Sequence, residues 1–206
     1  MTFAVVLCNF TIIYSAVSCG NKNKKQSSMI FQEKFSTKNI NQLEDSSKKV
    51  HIIMEATKSA PSVTVPNVEK QIPQKLIEDC IDILKKSDMV YATYVGRAGM
   101  LTKETWAFNI ILRTKERIEI FKTLLGSESN ASKSYALCGL YLASKEEFDS
   151  AKTKYLENVF EITVYIGCVG NYINNQEFLT VVELEYLPKV MVLEKVDLKY
   201  NKNTND

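Results

Sequence analysis

The groups in this chain that could do more than fold it are five cysteines, one histidine and, of its close carboxylate pairs, two that follow residue 140. The cysteines are Cys8, Cys19, Cys80, Cys138 and Cys168. A thiolate can be a nucleophile, a metal ligand or the acceptor of a modifying group. The carboxylate pairs are Glu146/Glu147 and Glu183/Glu185, and a carboxylate pair is what glycoside hydrolysis uses. His51 is the only histidine and lies outside the region that reads as folded. A Ser-His-Asp or Cys-His relay, or an HExxH zinc site, therefore has no histidine to draw on there. No CxxC, P-loop or GxGxxG occurs, and no metal or cofactor is expected. Gly96-Arg97-Ala98-Gly99 reads as a turn rather than a phosphate clamp.

Cys19 stands apart because of what precedes it. Phe3 to Tyr14 is an uncharged, mostly apolar run, and Ser15, Ala16 and Ser18 place small residues before the thiol. That is the arrangement of a secretory signal and its cleavage site. The run is shorter than the roughly 20 apolar residues that cross a bilayer. Ala16-Val17-Ser18-Cys19 resembles the lipobox of bacterial lipoproteins. The resemblance implies cleavage after Ser18 and lipid on Cys19, through its thiol and new amino terminus. It also implies a protein held on the cell membrane or outer membrane, facing the periplasm or the exterior. Two or more acyl chains, at about 0.8 kcal/mol per buried CH₂, make such an anchor stable. No Lys or Arg precedes Lys22, which leaves open a start upstream of Met1. A plain secretory signal with an incidental Cys19, or a buried N-terminal element, are the alternatives.

Charge is close to balanced, +2 over 206 residues, and the only arginines are Arg97, Arg113 and Arg117. Nothing in that balance points to a nucleic-acid partner. Residues 1–18 read as the signal, 19–70 as a lipidated flexible tether, 71–200 as the folded domain and 201–206 as a disordered tail. The tether assignment rests on a Lys-, Asn- and Ser-rich composition with isolated apolar residues, which cannot bury enough surface to offset its ordering entropy. The basic stretch 20–25 favours the periplasmic face in a cell with two membranes.

The folded part reads as mainly α with a small β part, an α+β domain of antiparallel helical hairpins followed by two or three C-terminal strands. Pro73 opens a helix on which Leu76, Ile77, Cys80, Ile81 and Leu84 share one stripe. Residues 89–95 suit a strand or a buried connector. Thr102 and Thr114 are expected to cap the next two helices, with Gly126 as the stop of the second. Ala131 to Ala143 is apolar nearly all round and reads as a buried central helix. Ser144 to Glu147 has the form of a capping box. Phe160 to Cys168 alternates like a half-buried strand, Gly167 to Asn175 carries turn residues, and Phe178 to Leu187 suits a strand or a helix. Residues 190–198 form a last apolar element.

Short loops between helices are similar to the local pattern of TPR- and HEAT-type hairpins, although no fixed repeat is present. The stretch YALCGLYLASKEEFDSA resembles segments of uncharacterised bacterial exported proteins, a likeness that brings no activity. Trp106, Tyr135 and Tyr141 read as core. Cys80, Cys138 and Cys168 read as three buried thiols, or as one disulfide and a free thiol. Asn130-Ala131-Ser132 is a glycosylation sequon that matters only in a eukaryote. The function expected is a lipid-anchored binding or scaffolding module, with a groove or aromatic patch for a protein partner. The alternative is an envelope hydrolase using a carboxylate pair or one of the three domain cysteines.

Overall fold

The computed structural model describes residues 45, 47–53, 67, 72–96 and 99–200. Cys8, Cys19, the residues around them, Arg97, Ala98 and the tail 201–206 lie outside the described residues. The described elements belong to one compact unit that begins at Leu43. In chain order they are α1 (residues 47–53), α2 (Gln74–Lys85), β1 (Met89–Val95), α3 (Lys103–Leu112) and α4 (Arg117–Leu125). Then come α5 (Asn130–Ala143), α6 (Lys145–Tyr155), β2 (Glu161–Gly167), β3 (Val169–Asn174), α7 (Asn175–Glu183) and α8 (Tyr186–Met191). The architecture is α+β and mostly helical, with one small mixed sheet.

The sheet runs β1-β2-β3. β1 lies parallel to β2, with Met89 opposite Thr163 and Tyr91 opposite Tyr165. β2 and β3 form an antiparallel hairpin in which Ile166 faces Val169, leaving a turn at Gly167 and Cys168. Gly167 has φ +57, a conformation that costs glycine little. Two strands are thus C-terminal, and the third is the segment 89–95. Two buried hydroxyls complete β1: Tyr135 accepts from the Tyr91 N–H at 2.9 Å, and Thr105 Oγ1 lies 3.0 Å from the carbonyls of Tyr91 and Ala92.

Two helices form the centre. Every residue of α3 from Thr105 to Leu112 is buried, and α5 is buried on most of its circumference. α5 packs against both α4 and α6, and α2 packs on α3. The inner sheet face, with Val90, Ala92, Ile162, Val164, Ile166 and Ile173, joins the same core. Burying each such aliphatic or aromatic side chain stabilises the fold by about 1.5–3 kcal/mol relative to exposure. α1 lies within the segment read as tether, yet Ile53 is fully buried in the core.

Several local expectations differ from the structure. Thr114 does not cap α4: its hydroxyl donates to Ile111 O at 2.9 Å, and α4 starts at Arg117 after Glu116. Gly126 does end α4, but with φ −87, so no left-handed cap forms. At Ser144 only half of a capping box exists. Ser144 Oγ accepts from Glu147 N–H at 3.3 Å, while the Glu147 carboxylate is taken by Lys122 at 3.2 Å. The complete box is Asn174 with Glu177, within the stretch read as turn. There β3 forms in spite of Gly170, because the Tyr165 ring lies where a Cβ on residue 170 would sit, 2.8 Å from its Cε1.

The chain after α8 is extended and tied to α3. Asn109 Nδ2 donates to Met191 O, and Leu193 N–H donates to Asn109 Oδ1, both at 2.8 Å. Arg113 donates to Leu193 O and Trp106 Nε1 to Asp197 O, at 2.6 and 2.7 Å. These three residues fall at i, i+3 and i+7 on one helix, which puts them in a row along the strap.

Candidate functional site

The two thiols on helices are poor candidates for chemistry. Cys80 and Cys138 are fully buried and free, and burial pushes both thiols up, Cys80 to about 12. A nucleophilic cysteine needs the opposite shift. Cys168 is exposed on the β2–β3 turn and also free, so the three thiols are neither all buried nor disulfide-linked among the described residues. His51 is exposed on α1. Of the carboxylate pairs, Glu146 is exposed in the first turn of α6 and Glu147 binds Lys122. Glu183 and Glu185, by contrast, both line a cleft of about 740 Å³.

That cleft is built by three segments. The C-terminal turn of α5 supplies Tyr141 and Leu142, and α6 supplies Lys145, Phe148, Asp149 and Lys152. Glu183 ends α7, and Glu185 stands in the turn before α8. Ser144 alone separates α5 from α6, so residues 141 and 148 meet across the corner. Their rings lie edge to face at 5.1 Å. Tyr141, expected in the core, is therefore half-buried at the cleft wall, whereas Trp106 and Tyr135 are core residues.

The charges are interlocked. Lys152 Nζ lies 2.9 Å from Asp149 and 2.9 Å from Glu183, and 5.3 Å from the Phe148 ring centroid. Hydrogen bonding to the two carboxylates raises its affinity for a proton. Tyr141 donates to Glu185 Oε1 at 2.9 Å. Burial and then the adjacent Glu185 push the Tyr141 phenol up to about 12, so it stays a donor at neutral pH. Lys145 forms no ion pair among the described residues. Glu185 has φ 63, the one described non-glycine residue in the left-handed region.

The sequence singles out Glu183 and Glu185 as a carboxylate pair, and the structure brings both to the cleft. Lys152 and Tyr141 went unnoticed as their partners. Only the Asp149/Lys152 spacing carries a local signal, because the other two contacts join residues 31 and 44 positions apart. Among the described residues no group of three or more His, Cys, Asp or Glu could hold a metal, and no helix is long and apolar enough to cross a membrane.

Fold and cleft together define an α+β domain with a mixed aromatic and charged recess. No protein-family model, curated protein or solved structure matches the chain.

Proposed function

We propose that this chain is a binding module of the cell envelope, lipid-anchored at Cys19, with the Tyr141–Glu185 cleft as its binding site. One observation carries the binding half. A recess of about 740 Å³ is lined by the Tyr141 and Phe148 rings, by Lys152 paired with Asp149 and Glu183, and by Glu185 hydrogen-bonded to Tyr141, with no thiol or histidine among its described lining residues. Such a surface is suited to recognition. The anchor half rests on the lipobox resemblance.

Mass spectrometry of the N-terminus tests the anchor: a diacylated or triacylated Cys19 is expected, and the Cys19→Ala chain leaves the membrane fraction. An uncleaved, unmodified chain would overturn it. For the cleft, a photo-reactive residue in place of Lys145, exposed at the cleft wall, is expected to trap a partner in intact cells. The adduct should disappear with Tyr141→Ala. An adduct indifferent to that change would argue for a binding site elsewhere.

The second reading, an envelope hydrolase, is favoured by one fact: Glu183 and Glu185 share the cleft. It requires Glu183→Gln and Glu185→Gln each to abolish turnover of cell-wall glycan. Equal turnover in both variants and the parent would remove it.

A further inference from the structure

The cleft already holds one ammonium group, supplied by the chain itself. Lys152 sits against the face of Phe148 and between the carboxylates of Asp149 and Glu183. An aromatic face with flanking carboxylates is the chemistry that receives a cation from water. Beside it the same elements recur without a cation. Tyr141 supplies a ring, and among the described residues the exposed carboxylate of Glu185 is met only by the Tyr141 hydroxyl. No ion pair joins Lys145 to Glu185, although both line the recess. The lining carries three carboxylates against two ammonium groups, and Glu185 is the carboxylate with no ion pair among the described residues.

We infer that the cleft receives an alkylammonium group from outside the chain, held between Glu185 and the Tyr141 ring beside Lys152. This deepens the binding-module reading and rests on it. A lysine side chain of a peptide and a free polyamine share this chemistry. The cleft volume of about 740 Å³ leaves room for several methylene groups beside the charged end.

Calorimetry of the full chain in non-ionic detergent tests the inference. The probes are N-acetyl-trilysine amide, spermidine and, as the charge-reversed control, N-acetyl-triglutamate amide. At least one ammonium probe binds and triglutamate does not. Trilysine binding marks a peptide source; spermidine binding alone marks a free polyamine. Glu185→Gly suits the left-handed backbone at that position and weakens binding about tenfold, a change of about 1.4 kcal/mol. Lys152→Ala vacates the neighbouring ammonium place and tightens binding by a similar factor, a gain that a merely structural lysine would not give.

Three results overturn the inference: no binding of either ammonium probe by protein with native circular dichroism, equal binding of triglutamate, or affinity unmoved by both substitutions. Failure here is separable from failure of the broader reading. If the Lys145 photo-adduct still depends on Tyr141 while no ammonium probe binds, the ammonium inference falls and the binding site stands. If both are absent, both fall.

Discussion

The edge of the Phe121 ring fills the space that a Cβ on Gly139 would need: its Cε2 and Cζ atoms lie 2.4 Å from that position. α4 and α5 approach this closely only because residue 139 has no side chain. The ring cannot retreat easily, since Phe121 is fully buried and Phe108 stands 5.6 Å beyond it. Gly139→Ala would gain about 1 kcal/mol in helix propensity, but forcing a methyl into a packed core costs about 1–3 kcal/mol. A net loss of up to about 2 kcal/mol is expected, read as a lower urea midpoint. Phe121→Leu in the same chain should recover part of it. A midpoint raised by Gly139→Ala would mean that the helices separate without penalty.

Asn109 is the pivot of the C-terminal strap. Its amide serves Met191 O and Leu193 N–H together, as a neighbouring strand would. Asn109→Leu keeps the volume and leaves both backbone groups buried without partners, at about 1–3 kcal/mol each. The strap should then open far more often than the rest of the domain. Trypsin cleavage at Lys195 and Lys199 reports this directly and is expected to accelerate at least tenfold, the factor that about 1.4 kcal/mol gives. Cleavage at the parental rate would show that Trp106 and Arg113 suffice to hold the segment.

These two features also mark where the sequence is mute. The stripe of Leu76, Ile77, Cys80 and Leu84, and the apolar circumference of α5, are visible because burial imposes a period on residue type. Asn109 and Arg113 break the pattern of α3, yet both are buried, for they also bond backbone groups 80 and more residues away. The strand 169–174 is disguised by Gly170, Asn171 and Asn174, and only the cross-strand Tyr165 ring over Gly170 explains it. Strand 89–95 reads ambiguously because its hydrogen-bonding partners, β2, Thr105 and Tyr135, all come later in the chain. In the cleft, the glutamates are legible as residue types, but their convergence on Lys152 and Tyr141 depends on the corner at Ser144.

Alkaline pH should unfold this domain early. Burial raises the thiols of Cys80 and Cys138 and the phenols of Tyr135 and Tyr155. In the unfolded chain thiols ionise near about 8.5 and phenols near about 10. Above those values the folded state binds more protons than the unfolded one, so stability falls as pH rises. Lys122 and Lys152, raised by their carboxylate partners, act in the same direction, their contribution fading as pH passes their folded values. Urea midpoints should hold up to about pH 8.5 and then fall, each buried group adding a slope of up to about 1.4 kcal/mol per pH unit. Replacing both Cys80 and Cys138 by Ala lowers the midpoint overall but should delay the onset toward about pH 10, where the phenols take over. An onset that does not move would exclude the thiols as its cause.

Glu185 is held where glutamate is uncomfortable. The left-handed backbone costs a residue with a Cβ about 1–2 kcal/mol, and the hydrogen bond from Tyr141 returns about 0.5–1.5 kcal/mol. Glu185→Gly removes the strain and that bond together and adds about 0.4–1 kcal/mol of unfolded-chain entropy, so a net change smaller than about 1 kcal/mol is expected in thermal unfolding, a gain where the strain is the larger. Glu185→Val keeps the strain, loses the bond and adds a branched Cβ, so it should destabilise. Ultraviolet titration separates the electrostatic part, because the Tyr141 phenol should ionise at lower pH once the neighbouring carboxylate is gone. If Glu185→Gly is destabilising, the Tyr141 bond and the unfolded-chain entropy together outweigh the backbone strain, and the glutamate stabilises the corner of the cleft. If it is stabilising, the domain retains at position 185 a residue that folding alone disfavours, which is the mark of a position kept for what it contacts.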